Sequence, residues 1–216
     1  MFLLQKQLND STNGKNWELG LNKFNKEINW LRCIHMEVAE LIDSTPWKHW
    51  KNINSAPDMN NIHVELVDIW HFLMSYILQE TNVPKAVSLV NTHCIYEAAQ
   101  NIDVNLIIKE SEKLSYIALA IETKNMPSFS GIERFIEQFF RACKSAGLSF
   151  SWLQKLYIGK NCLNQFRQDN GYKEGTYKKV WNGNEDNVVM VELLKTIEDV
   201  SFDELYEQLK LKYNQN

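Results

Sequence analysis

An all-α fold is what this sequence predicts, on three observations. Long segments carry apolar residues three and four apart, alternating runs of β-branched residues are missing, and only four prolines interrupt 216 residues. A hydrophobic content of 44% at this length supports a packed interior, so a single all-α domain over 1–216 is expected, a rigid helical core with a mobile part.

The first strong helix is expected over 24–44. Ile28, Leu31, Ile34, Val38 and Leu41 make one stripe that stops before Ser44-Thr45-Pro46. A second is expected from Asn60 or Asn61, either able to cap it, through Ile62, Leu66, Ile69, Leu73 and Ile77 to Glu80. Between them lies an aromatic and basic connector, "WKHWKNINSAPDMNN". Further helices are expected over 84–99, 104–123, 131–146 after the "NMPSFSG" break, 151–168, 187–198 and 202–213, the last opened by a capping box of Ser201 and Glu204. The stretch "QDNGYKEGTYKKVWNGNEDN" at 168–187 lacks apolar periodicity and mixes glycine, lysine and aromatics. It reads as a long loop suited to an anionic ligand.

A net charge of −4 and a pI near 5.8 argue against nucleic acid or an anionic membrane as the main partner, because no basic excess drives counterion release. The apolar run that opens "MFLLQKQLND" is too short for a signal-peptide core, and no later stretch approaches a membrane span, so a cytoplasmic protein is expected. Cys33, Cys94, Cys143 and Cys162 lie far apart without a C-x-x-C pair, which suggests reduced and mostly buried thiols.

Two apolar segments, "HMEVAELID" and "HVELVDIWH", each carry acids three residues apart. That spacing turns Glu37 with Glu40, and Glu65 with Asp68, toward one side of their helices. Val64, Leu66, Val67, Ile69, Trp70 and Phe72 make the second helix apolar nearly all round, so it should be buried. Unpaired carboxylates there would each cost several kcal/mol, as an order of magnitude, or would take up protons. Neither helix offers Lys or Arg on the right face, and a divalent metal is the economical partner. Carboxylate oxygens without Cys or clustered His favour hard cations, and two Mg²⁺ would balance four charges. A rival reading takes Asp68 and His71 as the D-x-x-H half of a di-metal redox bundle, but no second such pair is present.

"EVAELID" followed by "WKHWK", then "ELVDIWHF", then "YIGKNCLNQFRQDNGYKEGTYKKVWNGNEDN", resembles the dimeric all-α deoxyuridine triphosphatases of the all-α nucleotide pyrophosphatase superfamily. The resemblance also takes in "LQKQLND" and "NGKNWELG", while about 81 to 150 matches only as helices of the expected number. It implies a helical core with a four-helix metal-binding centre, a mobile C-terminal loop rich in glycine and lysine, a homodimer, and Mg²⁺-dependent hydrolysis of dUTP and dUDP to dUMP. Another nucleoside triphosphate is the alternative substrate.

The resemblance places Glu37, Glu40, Glu65 and Asp68 as metal ligands, with Gln5, Asn9 and Asn164 at uracil-reading positions. Amides suit that task because each offers a donor and an acceptor. Lys160, Arg167, Tyr172 and Lys179 match phosphate-binding positions, with Lys178 a partner or substitute. Lys160, Asn164 and Arg167 share one helix face. Phe72 could wall the base pocket, and Trp47, Lys48, Trp50 and Lys51 match a motif near the site, although core aromatics are an equal reading for the tryptophans. His71 alone reads as a satisfied buried histidine or as a group that hydrogen-bonds a ligand, rather than as a ligand itself. In the implied chemistry a metal-activated water attacks the phosphate chain, with Glu40, or else Glu37, holding that water or taking its proton.

Overall fold

The structure, a computed structural model, describes residues 1–51 and 55–215, apart from the side chains of 128–130. Asn52, Ile53 and Asn54 of the connector lie outside the described residues. The chain divides into two compact units, Phe2–Phe150 and Met1 with Ser151–Asn216. Among the described residues there are nine α-helices and one two-stranded hairpin.

In the first unit, α1 (Phe2–Asn13) and a 3₁₀ turn (Trp17–Leu19) precede α2 (Trp30–Asp43), α3 (Met59–Glu80), α4 (Val83–Asn91), α5 (Val104–Glu122) and α6 (Ser128–Ser145). Helix α2 packs on α3 and α5, α5 packs on α6, and α6 returns to α3, which closes a four-helix bundle. Ile34, Val38 and Leu41 of α2 are fully buried at helical spacing. Helix α3 is buried nearly all round, with Glu65, His71 and Ser75 the buried polar exceptions, and Trp70 stacks on Phe139 of α6 at 4.9 Å.

Several boundaries differ from the sequence reading for identifiable reasons. Helix α2 starts at Trp30 rather than at 24, because the Asn22 side chain accepts from the N–H groups of Phe24 and Lys26 and holds the chain in a turn with Asn25 at φ 59°. The Asn29 side chain then caps α2 by accepting from Arg32 N–H at 2.8 Å. Asp58, and not Asn60 or Asn61, caps α3 through Asn61 N–H at 3.0 Å. Helix α4 stops at Asn91 instead of 99, with Thr92 bonding back to Leu89 C=O. Helix α1 has no apolar stripe to announce it, since its buried face is Phe2, Gln5 and Asn9.

The second unit holds α7 (Phe150–Asp169, with Phe150 itself in the first unit), the hairpin β1 (Val180–Trp181) and β2 (Asn184–Glu185), α8 (Asp186–Thr196) and α9 (Phe202–Asn214). The expected loop over 168–187 is therefore partly structured. Asn182 and Gly183 form its two-residue hairpin turn, both at positive φ, 47° and 83°. Ser201 caps α9 by accepting from Glu204 N–H at 3.5 Å. Gly159 lets α7 approach α8 closely, since a Cβ there would stand 2.5 Å from Leu194 Cδ1. Among the described residues no helix is long and apolar enough to cross a membrane. All four cysteines are free thiols, Cys143 and Cys162 buried, Cys33 and Cys94 half-buried.

Candidate functional site

Helices α2 and α3 meet along the bundle and bring three carboxylates together there. Glu37, Glu65 and Asp68 each offer an oxygen, and these oxygens all lie within 4.8 Å of one another. Two oxygens on opposite sides of a hard cation stand about 4–5 Å apart, twice a bond of roughly 2.1–2.6 Å, so the group has the dimensions of a cation site. Glu65 is buried at 7% exposure, and Glu37 and Asp68 are half-buried. Burial pushes the Glu37 carboxyl up to about 8, helped by the negative charges of Asp68, Glu65 and Glu40 and by a hydrogen bond with Glu65.

Glu40, one turn after Glu37, is exposed and stands outside the group of three, though its charge reaches Glu37. The sequence reading offered Asn61 only as a helix cap, whereas its side chain donates to Glu65 Oε1 at 3.0 Å and to Ser44 Oγ at 2.7 Å. Its position one turn before Glu65 was the available signal.

A second polar cluster sits between α1 and α3. Gln5 and Asn9 are 2% and 3% exposed, and Ser75 is fully buried. Gln5 Nε2 donates to Ser75 Oγ at 2.9 Å and to Asn9 Oδ1 at 3.2 Å, while Asn9 Nδ2 donates to the same Ser75 Oγ at 3.0 Å. The Ser75 hydroxyl donates to His71 C=O at 2.8 Å, and His71 Nδ1 lies 2.7 Å from Gln5 Oε1. His71 thus faces the amides and is not among the three residues of the carboxylate group. Phe72 stacks on Trp30 at 6.0 Å.

The connector tryptophans lie on the surface. Trp47 and Trp50 meet edge to face at 5.5 Å and both are exposed, so the core alternative is excluded. Trp47 Nε1 and Lys48 Nζ both donate to Asp43 Oδ1, at 3.0 and 2.6 Å, and hold its carboxyl below the usual range, while Lys51 is exposed.

In the second unit, Lys160, Asn164, Arg167 and Tyr172 gather around the start of α8. Arg167 is bidentate to the fully buried Asp186, at 2.8 and 2.7 Å, and also donates to Asn164 Oδ1 and Asn187 Oδ1 at 3.3 Å. Lys160 Nζ donates to Asn187 Oδ1 at 3.0 Å, and Tyr177 OH donates to Asp186 Oδ2 at 2.8 Å. The Arg167 guanidinium lies over the Tyr172 ring, 5.8 Å from its centroid. Lys178 and Lys179 are exposed, with Lys179 3.6 Å from Glu185. Asp186, Asn187 and Tyr177 were missed because their segment reads as a solvated loop until the hairpin is recognised.

No curated protein matches the sequence. Its first 172 residues match a family described as dUTPase.

Proposed function

We propose a function from one premise: the chain belongs to the all-α dUTPase family, whose match covers most of its length. Its activity is that of a dUTP diphosphatase, a hydrolase, and dUTP is its substrate. The finer reading is that Mg²⁺, two ions, is held by Glu37, Glu65 and Asp68 with Glu40 at the rim, and that dUDP is also cleaved to dUMP. The observation that carries it is the convergence of three carboxylates from two helices, each offering an oxygen within 4.8 Å of the others. Mg²⁺ would screen the phosphate charge there and lower the pKa of a water.

Glu40, exposed beside the cluster, takes the proton as a water oxygen bonds to phosphorus and the P–O bond to the departing pyrophosphate of dUTP, or phosphate of dUDP, breaks. Gln5, Asn9 and Asn164 read uracil, with Phe72 against the base. Lys160, Arg167, Tyr172, Lys178 and Lys179 bind the phosphates, a role supported by the gathering of the first three of these around one helix start. Trp47, Lys48 and Lys51 support the site from the connector. A family match running across residues 1–172, from the first unit into the second, supports one functional domain. Four free thiols fit a reducing compartment such as the cytoplasm, and exposed Leu3, Phe24, Tyr116 and Leu119 fit a homodimer.

The test is a panel of nucleoside di- and triphosphates with Mg²⁺, read by release of pyrophosphate or phosphate. Hydrolysis of dUTP and dUDP that chelator stops supports the reading. A preference for another base, or turnover undiminished by chelator, overturns it.

A further inference from the structure

We propose that Ser75 is a positioning residue for base discrimination: by locking the Gln5 and Asn9 amides in one orientation, it makes this chain distinguish uracil from cytosine. The inference rests on the reading that these two amides face the base.

The argument is a count of donors and acceptors. A serine hydroxyl has one hydrogen and two lone pairs. Ser75 directs its one hydrogen to His71 C=O at 2.8 Å, with Asn9 Oδ1 a longer acceptor at 3.5 Å, and offers its lone pairs to Gln5 Nε2 and Asn9 Nδ2. Were the Gln5 amide turned over, its oxygen would face Asn9 Oδ1 across 3.2 Å and a Ser75 hydroxyl whose hydrogen is already engaged. Were Asn9 turned over alone, its Nδ2 would face Gln5 Nε2, and were both amides turned over together, two oxygens would face the single hydrogen of Ser75. Each arrangement leaves like groups opposed or an acceptor without a hydrogen in a buried site, where an unmade hydrogen bond costs about 1–3 kcal/mol. Ser75 is the common partner of both amides, and full burial keeps water from taking its place.

Locked amides matter because of how the two bases differ. Uracil presents N3–H as a donor beside a carbonyl acceptor, and cytosine presents N3 as an acceptor beside an amino donor. A free Asn amide could turn over and satisfy either. With Oδ1 and Nδ2 fixed, Asn9 presents its second amide hydrogen and its Oδ1 in a set order. Only one base edge then pairs without opposing like groups.

Position supports the assignment. Ser75 follows Asp68 by seven residues, so it lies on the same side of α3 about 10 Å further along the axis. That rise matches the reach of a deoxyribose 5′-phosphate from base edge to phosphorus. The hydroxyl and the carboxylate cluster are therefore spaced for the two ends of one substrate.

The experiment compares kcat/KM for dUTP and dCTP in the wild type, Ser75→Ala and Ser75→Thr. The expected result is a dUTP:dCTP ratio at least about tenfold lower in Ser75→Ala, through a higher KM for dUTP and a KM for dCTP unchanged or lower. Ser75→Thr, which keeps the hydroxyl, should recover the ratio. An equal fall for both nucleotides marks a merely structural role and overturns the proposal, as does an unchanged ratio. A second readout is independent of turnover: side-chain amide hydrogens of Gln5 and Asn9 should exchange at least about tenfold faster in Ser75→Ala, and unaltered exchange overturns the proposal. If the wild type itself shows no preference for dUTP, the base-reading premise has failed, which is seen before any substitution is made.

Discussion

Replacing Glu37 by Gln should stabilise the metal-free protein, and only at neutral to alkaline pH. The folded protein keeps the Glu37 proton up to about pH 8, whereas the unfolded chain releases it near 4.5. Between those values the folded state binds more protons, so stability falls as pH rises through that window and the deficit is complete above it. Taken in full, the interval corresponds to about 5 kcal/mol at roughly 1.4 kcal/mol per pH unit. Glu37 is only half-buried and shares its repulsion with Asp68 and Glu65, and screening and sharing reduce this to about 2 kcal/mol. Glutamine removes the charge and keeps the shape. In chelator at pH 9 the melting temperature of Glu37→Gln should exceed that of the wild type by about 4–8 °C, and at pH 4 the two should coincide. Calorimetric scans at both pH values check it. An offset of the same size at both, or a lower melting point for the variant at pH 9, would refute the idea that uncompensated charge strains this seam.

The remaining expectations are shorter. Mg²⁺ must displace the Glu37 proton, so its affinity should fall about tenfold per pH unit below 8, and titration calorimetry in two buffers at pH 6 should show about one proton released; pH-independent affinity would contradict this. Asp68→Ala should lower dUTP turnover by more than about 100-fold while circular dichroism keeps its helical signal, and near-normal turnover would remove Asp68 from the site. Asp186→Ala leaves the Arg167 guanidinium buried without its bidentate carboxylate and should cost about 3–5 kcal/mol in denaturant unfolding; a loss under about 1 kcal/mol would mean that Arg167 finds solvent easily. Gly159→Ala would gain helix propensity on an exposed surface, but here its Cβ meets Leu194, so a net loss of about 1–2 kcal/mol is expected, and a raised melting temperature would show that α7 and α8 can part.

The sequence disclosed what depends on period and burial. Apolar spacing located α2, α3 and α5 through α9, because each covers a core with Ile, Leu, Val or Phe. It passed over α1, whose inner face is two amides rather than aliphatic side chains. Starts were less legible than interiors, since the competition is decided by single side-chain bonds such as those of Asn22 and Asp58. The acidic spacing led to Glu37, Glu65 and Asp68 as a group, but not to the placing of Glu40 outside it, because a three-residue offset fixes direction around a helix and not depth along the seam. Ser75 and Asp186 were invisible for another reason. A lone serine in an apolar helix, or an aspartate after a hairpin, has no pattern of its own and acquires a role only through partners 66, 70 and 19 residues away.

The clasp between Arg167 and Asp186 also governs what the chain between them can tolerate. Its two ends are joined by a bidentate ion pair, with Asp186 N–H donating to Lys179 C=O at the base of the hairpin. Between those ends Tyr177 and the buried Trp181 pack on Phe166 and Tyr213, and the exposed turn 173–175 stands off from them, closed by Thr176 N–H donating to Gly171 C=O at 3.0 Å. Doubling such a loop costs only about 0.6 kcal/mol in closure entropy. The exposed turn Lys173-Glu174-Gly175 is thus a place where the protein can accept a tag, a spectroscopic probe or a grafted recognition sequence without its helices registering the change.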